Sequence, residues 1–397
     1  MSFTLPHGFE YAGVSCGIKK AAGREDISLV VCRSGATAAG VYTTNRIFAA
    51  PVALDRERTP SRDIRVVATN SGNANACTGE RGLRDAQEMS RLAAAAVGAE
   101  PEQALVMSTG VIGEFLPMEK IAAGISSAAR QLGADESSFM AAVRGIMTTD
   151  RGPKVACRSM SLSGREVRVA GMAKGAGMIG PKMATMLAVI TTDAPLSPDS
   201  AQAALAAAVD ESFNAISVEG HMSTNDTVLL LASGAGGGEP LAAGELQSFR
   251  QSLTELCIEL AKQIPDDGEG ATHLIAIEVH GCQSRDDADR IARAVANSAL
   301  VKTAVHGGDP NWGRIVSAAG YAGVAFDPAR VSLKLCGHLL YERGAPVRFD
   351  AAAVSQAIKS QRETSIVLSV GEGPGACRHW TSDLTVEYVK FNADYHT

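Results

Sequence analysis

Apolar and polar positions divide the chain into short strands and amphipathic helices. Residues 27–32 and 64–69 are apolar, β-branched runs bounded by polar turns, the pattern of strands. Residues 105–113 predict a strand running into a Thr-Gly turn. Apolar residues at helical spacing predict helices over 84–97, closed by Gly98, over 117–132, entered by proline and closed by Gly133, and over 135–147. Residues 165–170 alternate polar and apolar, whereas 186–192 run apolar throughout, and both read as strands. Helices are expected over 198–213 and 244–264, followed by a strand over 273–280. Beyond about residue 281 the pattern shifts to one helix over 285–297, a loop over 306–314 and strands over 331–336, 365–370 and 384–392. Strands alternating with helices predict an α/β (α+β) fold. The shift places a boundary near 280, with a larger domain over 1–280 and a smaller C-terminal α/β domain over 281–397.

The connecting segments have distinct chemistry. Residues 43–51 and 70–79 read as loops, the second crowded with Asn70, Ser71, Asn73 and Asn75. Such side chains bond local backbone and can also line a polar pocket. Residues 234–240 form a glycine-rich loop lacking the Lys-Ser/Thr that phosphate cradling requires. Residues 266–272 read as a turn that sets Glu269 between two glycines.

Composition narrows the function. The 397 residues suffice for two domains, and 46% hydrophobic content supports a full core. A net charge of −6 and 5% aromatic residues argue against nucleic-acid binding. The 8 cysteines are scattered without a C-x-x-C pair and read as reduced, mostly buried thiols. No histidine spacing suggests a metal, so none is expected. The first ten residues lack a targeting pattern, and no apolar run approaches the ~20 residues of a membrane span. A cytoplasmic, soluble protein is expected.

The most informative segment is 174–187, where Ala184 and Thr185 follow a glycine-rich turn and precede an apolar strand. If the Ala184–Thr185 peptide breaks, Thr185 gains an α-amine that titrates near ~7.7–8.0 and can act as base for its own hydroxyl. A β-branched residue opening a strand is, on the other hand, ordinary scaffold. Residues 175–180 also match the dinucleotide-binding pattern G-x-G-x-x-G, but the expected strand–turn–strand setting lacks the helix that such a site needs.

Taken in order, TTNR at 43–46, NSGNAN at 70–75, STGVIG at 108–113, KGAGMI at 174–179, MATML at 183–187, DGEGAT at 267–272, GDPNWGR at 308–314 and NADYHT at 392–397 resemble the ornithine acetyltransferase (glutamate N-acetyltransferase, ArgJ-type) family. The resemblance spans essentially the whole chain. It implies an N-terminal-nucleophile-like, layered helix–sheet–sheet–helix fold with a smaller C-terminal α/β domain. It also implies self-cleavage between Ala184 and Thr185, an α chain of 1–184, a β chain of 185–397 and an α2β2 assembly. The implied reaction moves acetyl from N2-acetylornithine to L-glutamate in arginine biosynthesis, by a ping-pong acetyl-threonine mechanism with no cofactor. Acetyl-CoA stays open as a second donor.

Carried over by motif, Thr185 is the nucleophile and Thr109 and Gly110 form the oxyanion hole. Substrate contacts fall on Thr148, Lys174, Thr185, Glu269, Asn392 and Thr397. The residue types suit these roles: a cation for a substrate carboxylate, a carboxylate for a substrate ammonium, and a Thr-Gly turn for a developing oxyanion. The chain departs from the family pattern at His221 and Met222 and again at Thr381 and Ser382, positions that bear on substrate preference. The nearest alternative is a self-processed amidase or aminopeptidase of the same architecture, lacking the paired amino-acid contacts. A nucleotide-dependent dehydrogenase and a non-catalytic amino-acid-binding protein stand further off.

Overall fold

The computed structural model describes residues 3–21, 23–180 and 186–394. Its first part runs β1 (Glu10–Val14), β2 (Ile27–Tyr42), α1 (Ala50–Arg58), β3 (Ser61–Asn73), α2 (Gly79–Val97), β4 (Ala104–Val111), α3 (Met118–Ala129) and α4 (Glu136–Ile146). Next come β5 (Lys154–Leu162), β6 (Arg165–Lys174), β7 (Leu187–Thr192), α5 (Pro198–Glu211), β8 (Ile216–Ser217), β9 (Thr227–Ala232) and α6 (Ala243–Asp266). The remainder holds β10 (Leu274–Gly281), α7 (Arg285–Ala296), α8 (Ala299–Gly307), α9 (Trp312–Gly320), β11 (Ser332–Leu335), β12 (His338–Glu342), β13 (Ala345–Pro346), α10 (Ala351–Ser360), β14 (Glu363–Ser369), β15 (Gly373–Ser382) and α11 (Val386–Asp394).

The first sheet is ordered β4-β3-β2-β9-β7-β6-β5, with β1 added on β2. Strand β2 serves two halves of this sheet. Ile27 to Val31 pair with β1 and β3, the register then shifts, and Thr37 to Tyr42 pair with β9. Such irregularities bend a strand, and here the halves face each other across one apolar interior. Val30, Val67, Leu105 and Met107 from one half share that interior with Met172, Val189, Leu229 and Leu231 from the other, and Phe139 and Val143 of α4 close it. The Tyr11 hydroxyl crosses between the halves to Thr191 Oγ1 at 3.0 Å.

Period-2 alternation sends the neighbouring residues outward. Leu29, Val31, Val66 and Val106 meet Met89 and Ala93 of α2 and Ile121 and Ile125 of α3. On the other half, Ala188, Ile190, Val228 and Leu230 meet Leu205 of α5 and Leu253, Leu256 and Leu260 of α6. The result is the expected mixed α/β fold, with helix, sheet, sheet and helix in layers.

The second sheet is ordered β13-β12-β11-β14-β10-β15-β8. Its core joins Ile275, Ile277, Ile366 and Leu368 to Ile291 and Val295 of α7 and Val354 and Ile358 of α10. Short β8 pairs with β15, whereas β9, next in the chain, lies inside the first sheet. The link between them, residues 218–226, therefore has to pass from one sheet to the other. That passage places it at the functional site.

Several elements differ from expectation. Residues 384–392 are not a strand: Val386–Asp394 is a helix. Thr385 supplies a cap, its Oγ1 accepting from Tyr388 N at 3.0 Å, and the apolar residues that suggested a strand, Val386 and Val389, are exposed. Helices α8 and α9 take up both ends of the expected 306–314 loop, leaving 308–311 as the connection between them. Each starts at a capping side chain, Ser298 accepting from Val301 N and Asn311 from Arg314 N. Helix α1 lies partly within the expected 43–51 loop, and α10 adds another helix. All eight cysteines are free; Cys32, Cys257 and Cys282 are buried and Cys77 is exposed. Among the described residues no helix is long and apolar enough to cross a membrane.

Candidate active site

A cavity of about 290 Å³ opens where β4, β6, the 218–226 link, the turn before β10 and α11 meet. Thr109, Gly110, Thr148, Lys174, Glu269 and Asn392 all line it. These are six of the residues singled out from the sequence, drawn from five separate stretches of chain. Ala184, Thr185 and Thr397 lie outside the described residues. The chain next to Thr185 is nonetheless anchored, since Met186 N donates to Asp226 Oδ1 at 3.1 Å.

The end of β4 is shaped by close backbone approach. Gly110 has φ +133°, and a Cβ there would sit 2.3 Å from the Gly72 carbonyl carbon and 2.5 Å from Asn73 N. Only glycine fits such a place. The neighbouring amides maintain it. Ser108 Oγ donates to Asn70 Oδ1 at 2.6 Å, and Asn225 Nδ2 donates to Ser108 O at 2.8 Å and to Ala74 O at 2.6 Å. The asparagine-rich 70–79 segment thus spends its amides mainly on backbone, and Ala74 is its contribution to the cavity wall.

Lys174 ends β6 with its side chain buried, and its Nζ donates to Thr109 Oγ1 at 3.1 Å. Burial pulls the ammonium pKa down, while the Asp150 carboxylate works against that loss. Asp150 gathers three segments: its Oδ1 accepts from Lys154 Nζ and Gly175 N, each at 2.7 Å, and its Oδ2 from Thr148 N at 2.9 Å. Burial would raise the Asp150 pKa, but Lys154, Lys174 and the Gly175 amide hold it at about 2. Lys154 also reaches Asp267 Oδ2 at 2.6 Å, two residues before Glu269.

Glu269 is bonded at both oxygens, by Thr149 Oγ1 at 2.8 Å and Asn392 Nδ2 at 3.0 Å. Its backbone N donates to Ala176 O at 2.9 Å. A Cβ on Gly177 would lie 2.4 Å from Glu269 Oε2, so the glycine-rich turn is small because a carboxylate packs on it. That packing and the strand–turn–strand setting account for the G-x-G-x-x-G match without a nucleotide.

Behind the turn, Asp383 forms a clamp. Its Oδ1 accepts from Thr272 N at 2.8 Å and His273 N at 3.0 Å, and its Oδ2 faces the Thr272 hydroxyl and, at 3.2 Å, His306 Nδ1. Burial opposes ionisation of this carboxyl, yet the His273 and Thr272 hydrogen bonds keep it well below the usual carboxylate range. The departures noted in the sequence separate here. His221 lines the cavity and is exposed, whereas Thr381 and Ser382 are buried and accept from Lys302 Nζ.

A model of the ArgJ family matches residues 10–397. The chain belongs to the ArgJ family. Among curated ArgJ-family relatives, "Arginine biosynthesis bifunctional protein ArgJ" of Rhodopirellula baltica is 49% identical, over 100% of this chain and 97% of that protein. The protein of the same name from Symbiobacterium thermophilum is 47% identical over 99% of this chain and 98% of its own length. A solved ArgJ-family chain from Bacillus halodurans aligns with TM-score 0.50 and 37% identity, covering 52% of this chain and 97% of that one.

Some residues of the site were not singled out from the sequence: Asn225, Tyr388 and Glu219 in the cavity wall, and Asp150, which holds Thr148 and Gly175 from behind it. A cap-type Asp in a T-T-D-R-G turn and an Asn beside another acid carry no distinctive spacing. Tyr388 entered the wall only because 386–394 is helical.

Proposed function

We propose that this protein is a glutamate N-acetyltransferase that moves acetyl from N2-acetylornithine to L-glutamate through an acetyl-Thr185 intermediate. One observation carries the reading: a buried cation, Lys174, a doubly bonded carboxylate, Glu269, and the Thr109-Gly110 strand end converge on one cavity. Both substrates have an α-carboxylate and an amine at some stage of the cycle, and this cavity offers groups of both signs, among them Lys174 and Glu269. A hydrolase needs no such pair.

In this reading the precursor cuts itself at Ala184–Thr185, and the new amine serves as base for the Thr185 hydroxyl. Oγ attacks the acetyl carbonyl, and Thr109 with Gly110 stabilises the oxyanion, a contribution of ~2.7–4 kcal/mol per donor in comparable sites. Lys174 keeps Thr109 oriented and offers charge to the substrate carboxylate. Glu269 receives the amine, and Thr148, Asn392 and Thr397 complete the contacts. Ornithine leaves, glutamate enters and takes the acetyl group. No cofactor takes part. Acetyl-CoA is a second acetyl donor in our reading, in keeping with relatives named bifunctional. The solved Bacillus halodurans chain, matched over its length by about half of this one, has the size that a precursor cut near its middle yields. The two chains assemble as α2β2 in the cytoplasm.

The test is direct. Purified enzyme with N2-acetylornithine and glutamate should form N-acetylglutamate with parallel double-reciprocal lines. Release of acetate without transfer would favour the amidase reading instead.

A further inference from the structure

Glu219 lies on the 218–226 link and lines the same cavity as Glu269, Lys174 and Thr109. Both of its carboxylate oxygens are buried, and neither has a hydrogen-bond partner among the described residues. The amides of Ile179, Glu219 itself and His221 lie near enough to favour its ionised form somewhat, without closing a hydrogen bond. Leaving a buried polar group unsatisfied costs about 1–3 kcal/mol, more for a charge. Such a group needs an explanation.

Its surroundings supply one. Buried Lys302 of α8 directs its Nζ to Val218 O at 2.6 Å, Thr381 Oγ1 at 3.0 Å and Ser382 O. Those bonds use its three donors, so Lys302 offers Glu219 charge but no proton contact. Tyr388 of α11 and Glu269 of the turn before β10 face it with hydroxyl and negative charge, and His221 stands on its own link. The cavity thus holds two carboxylates of different kinds. Glu269 is bonded once at each oxygen, by Thr149 and Asn392, with acceptor capacity to spare, and suits fixed charge. Glu219 is bare and suits a mobile proton.

We infer that Glu219 carries the amine's proton through the transfer cycle, taking it from the incoming glutamate ammonium and returning it to departing ornithine. This rests on the acetyl-transfer reading above. Glutamate arrives as an ammonium and cannot attack until it loses a proton, which passes to the Glu219 carboxylate directly or through one water. The freed nitrogen attacks the acetyl-threonine carbonyl and the C–N bond forms. The Thr185 amine relays the nitrogen's second proton to Oγ as the C–Oγ bond breaks. In the other half-reaction Oγ attacks the amide of N2-acetylornithine, and the amine relays the Oγ proton to nitrogen as the C–N bond breaks. Glu219 then protonates the neutral amine to ammonium. Over one cycle Glu219 ends as it began. Burial, reinforced by the Glu269 charge, pushes its pKa up to about 7, where both exchanges are feasible near neutral pH.

The experiment measures the two half-reactions of processed enzyme separately, with glutamate or hydroxylamine as acceptor. Hydroxylamine is already neutral at pH 7 and needs no proton removed before attack. For Glu219→Gln, transfer to glutamate at pH 7 should fall about 10²-fold or more, while transfer to hydroxylamine stays close to wild type. Equal losses with both acceptors, or no loss with either, would overturn the assignment. Should Glu219→Gln fail to process, wild type alone decides. Its transfer to glutamate should rise with pH and level off above about 7, while protonation-dependent release of ornithine falls over the same range. Matching profiles for the two half-reactions would refute a shared proton carrier. A wild type that makes no N-acetylglutamate from N2-acetylornithine would remove the acetyl-transfer reading itself, and this inference with it.

Discussion

At the scale of single residues, the site depends on a few atoms placed by backbone. Gly110→Ala would put a methyl group 2.3 Å from the Gly72 carbonyl carbon at a φ of +133°. The strand end must shift, and if Gly110 serves as the proposed oxyanion donor, kcat should fall by about 10²–10³-fold. Steady-state kinetics on the processed variant checks this; a change under about threefold would mean that Gly110 does not face the reacting carbonyl. Residue type and order made Thr109, Gly110, Lys174, Glu269 and Asn392 legible in the sequence, through resemblance more than through any local rule. Glu219 and Asp150 were not legible. A carboxylate's role depends on which donors fold against it: Asp150 takes Gly175 N from 25 positions along the chain, and Glu219 takes none among the described residues.

At the scale of elements, loops and helix α11 hold the cavity-lining groups against two sheets. Asp383 pins Thr272 and His273 and so fixes the turn that carries Glu269. Asp383→Asn keeps the shape but weakens four charge-assisted contacts. KM for both amino-acid substrates should rise more than kcat falls, with a stability loss of about 1–3 kcal/mol. Kinetics and denaturant unfolding read the two effects separately; a pure kcat loss would place Asp383 in the chemistry instead. Asp150 gives a pH signature. Its pKa is lowered to about 2 in the folded protein, so its contribution is present above the ordinary carboxylate value of ~3.9 and is lost as pH falls toward 2. Wild-type urea midpoints should therefore drop across that window, and Asp150→Asn, less stable at neutral pH, should show a shallower drop. Parallel curves would contradict the pairing with Lys154 and Lys174.

In the first sheet β2, β3, β4, β6 and β7 were readable, mostly as apolar runs, because their side chains enter a continuous core, whereas β1, β5 and β9 were not read from the sequence. Residues 384–392 misled because Val386 and Val389 are exposed, so alternation there reports no burial. The Thr385 cap was the signal to weigh more heavily.

At the scale of the whole molecule, the first sheet interleaves the segments that a cut at 184–185 would separate. Strands β7 and β9 follow the cut, yet β9 pairs with β2 and β7 with β6, both of which precede it. Separation would tear two strand ladders and divide the apolar interior shared by Leu105, Met172, Val189 and Leu229. The processed chains should therefore copurify through size exclusion in high salt and part only in denaturant; two chains separating under native conditions would contradict the topology. The layered architecture itself was foreseen from resemblance. The bend of β2 that creates it was not, since the 27–32 pattern gives no hint that the strand runs on to Tyr42 and serves both halves.

The central claim, a self-exposed Thr185 that carries acetyl, is tested most directly by intact mass and N-terminal sequencing of purified protein before and after N2-acetylornithine. The account predicts two chains, one beginning at Thr185. That chain should gain one acetyl group with donor and lose it when glutamate is added, whereas Thr185→Ala should remain a single unacetylated, inactive chain. An uncut wild type that still transfers acetyl, or a Thr185→Ala protein that still processes, would contradict it.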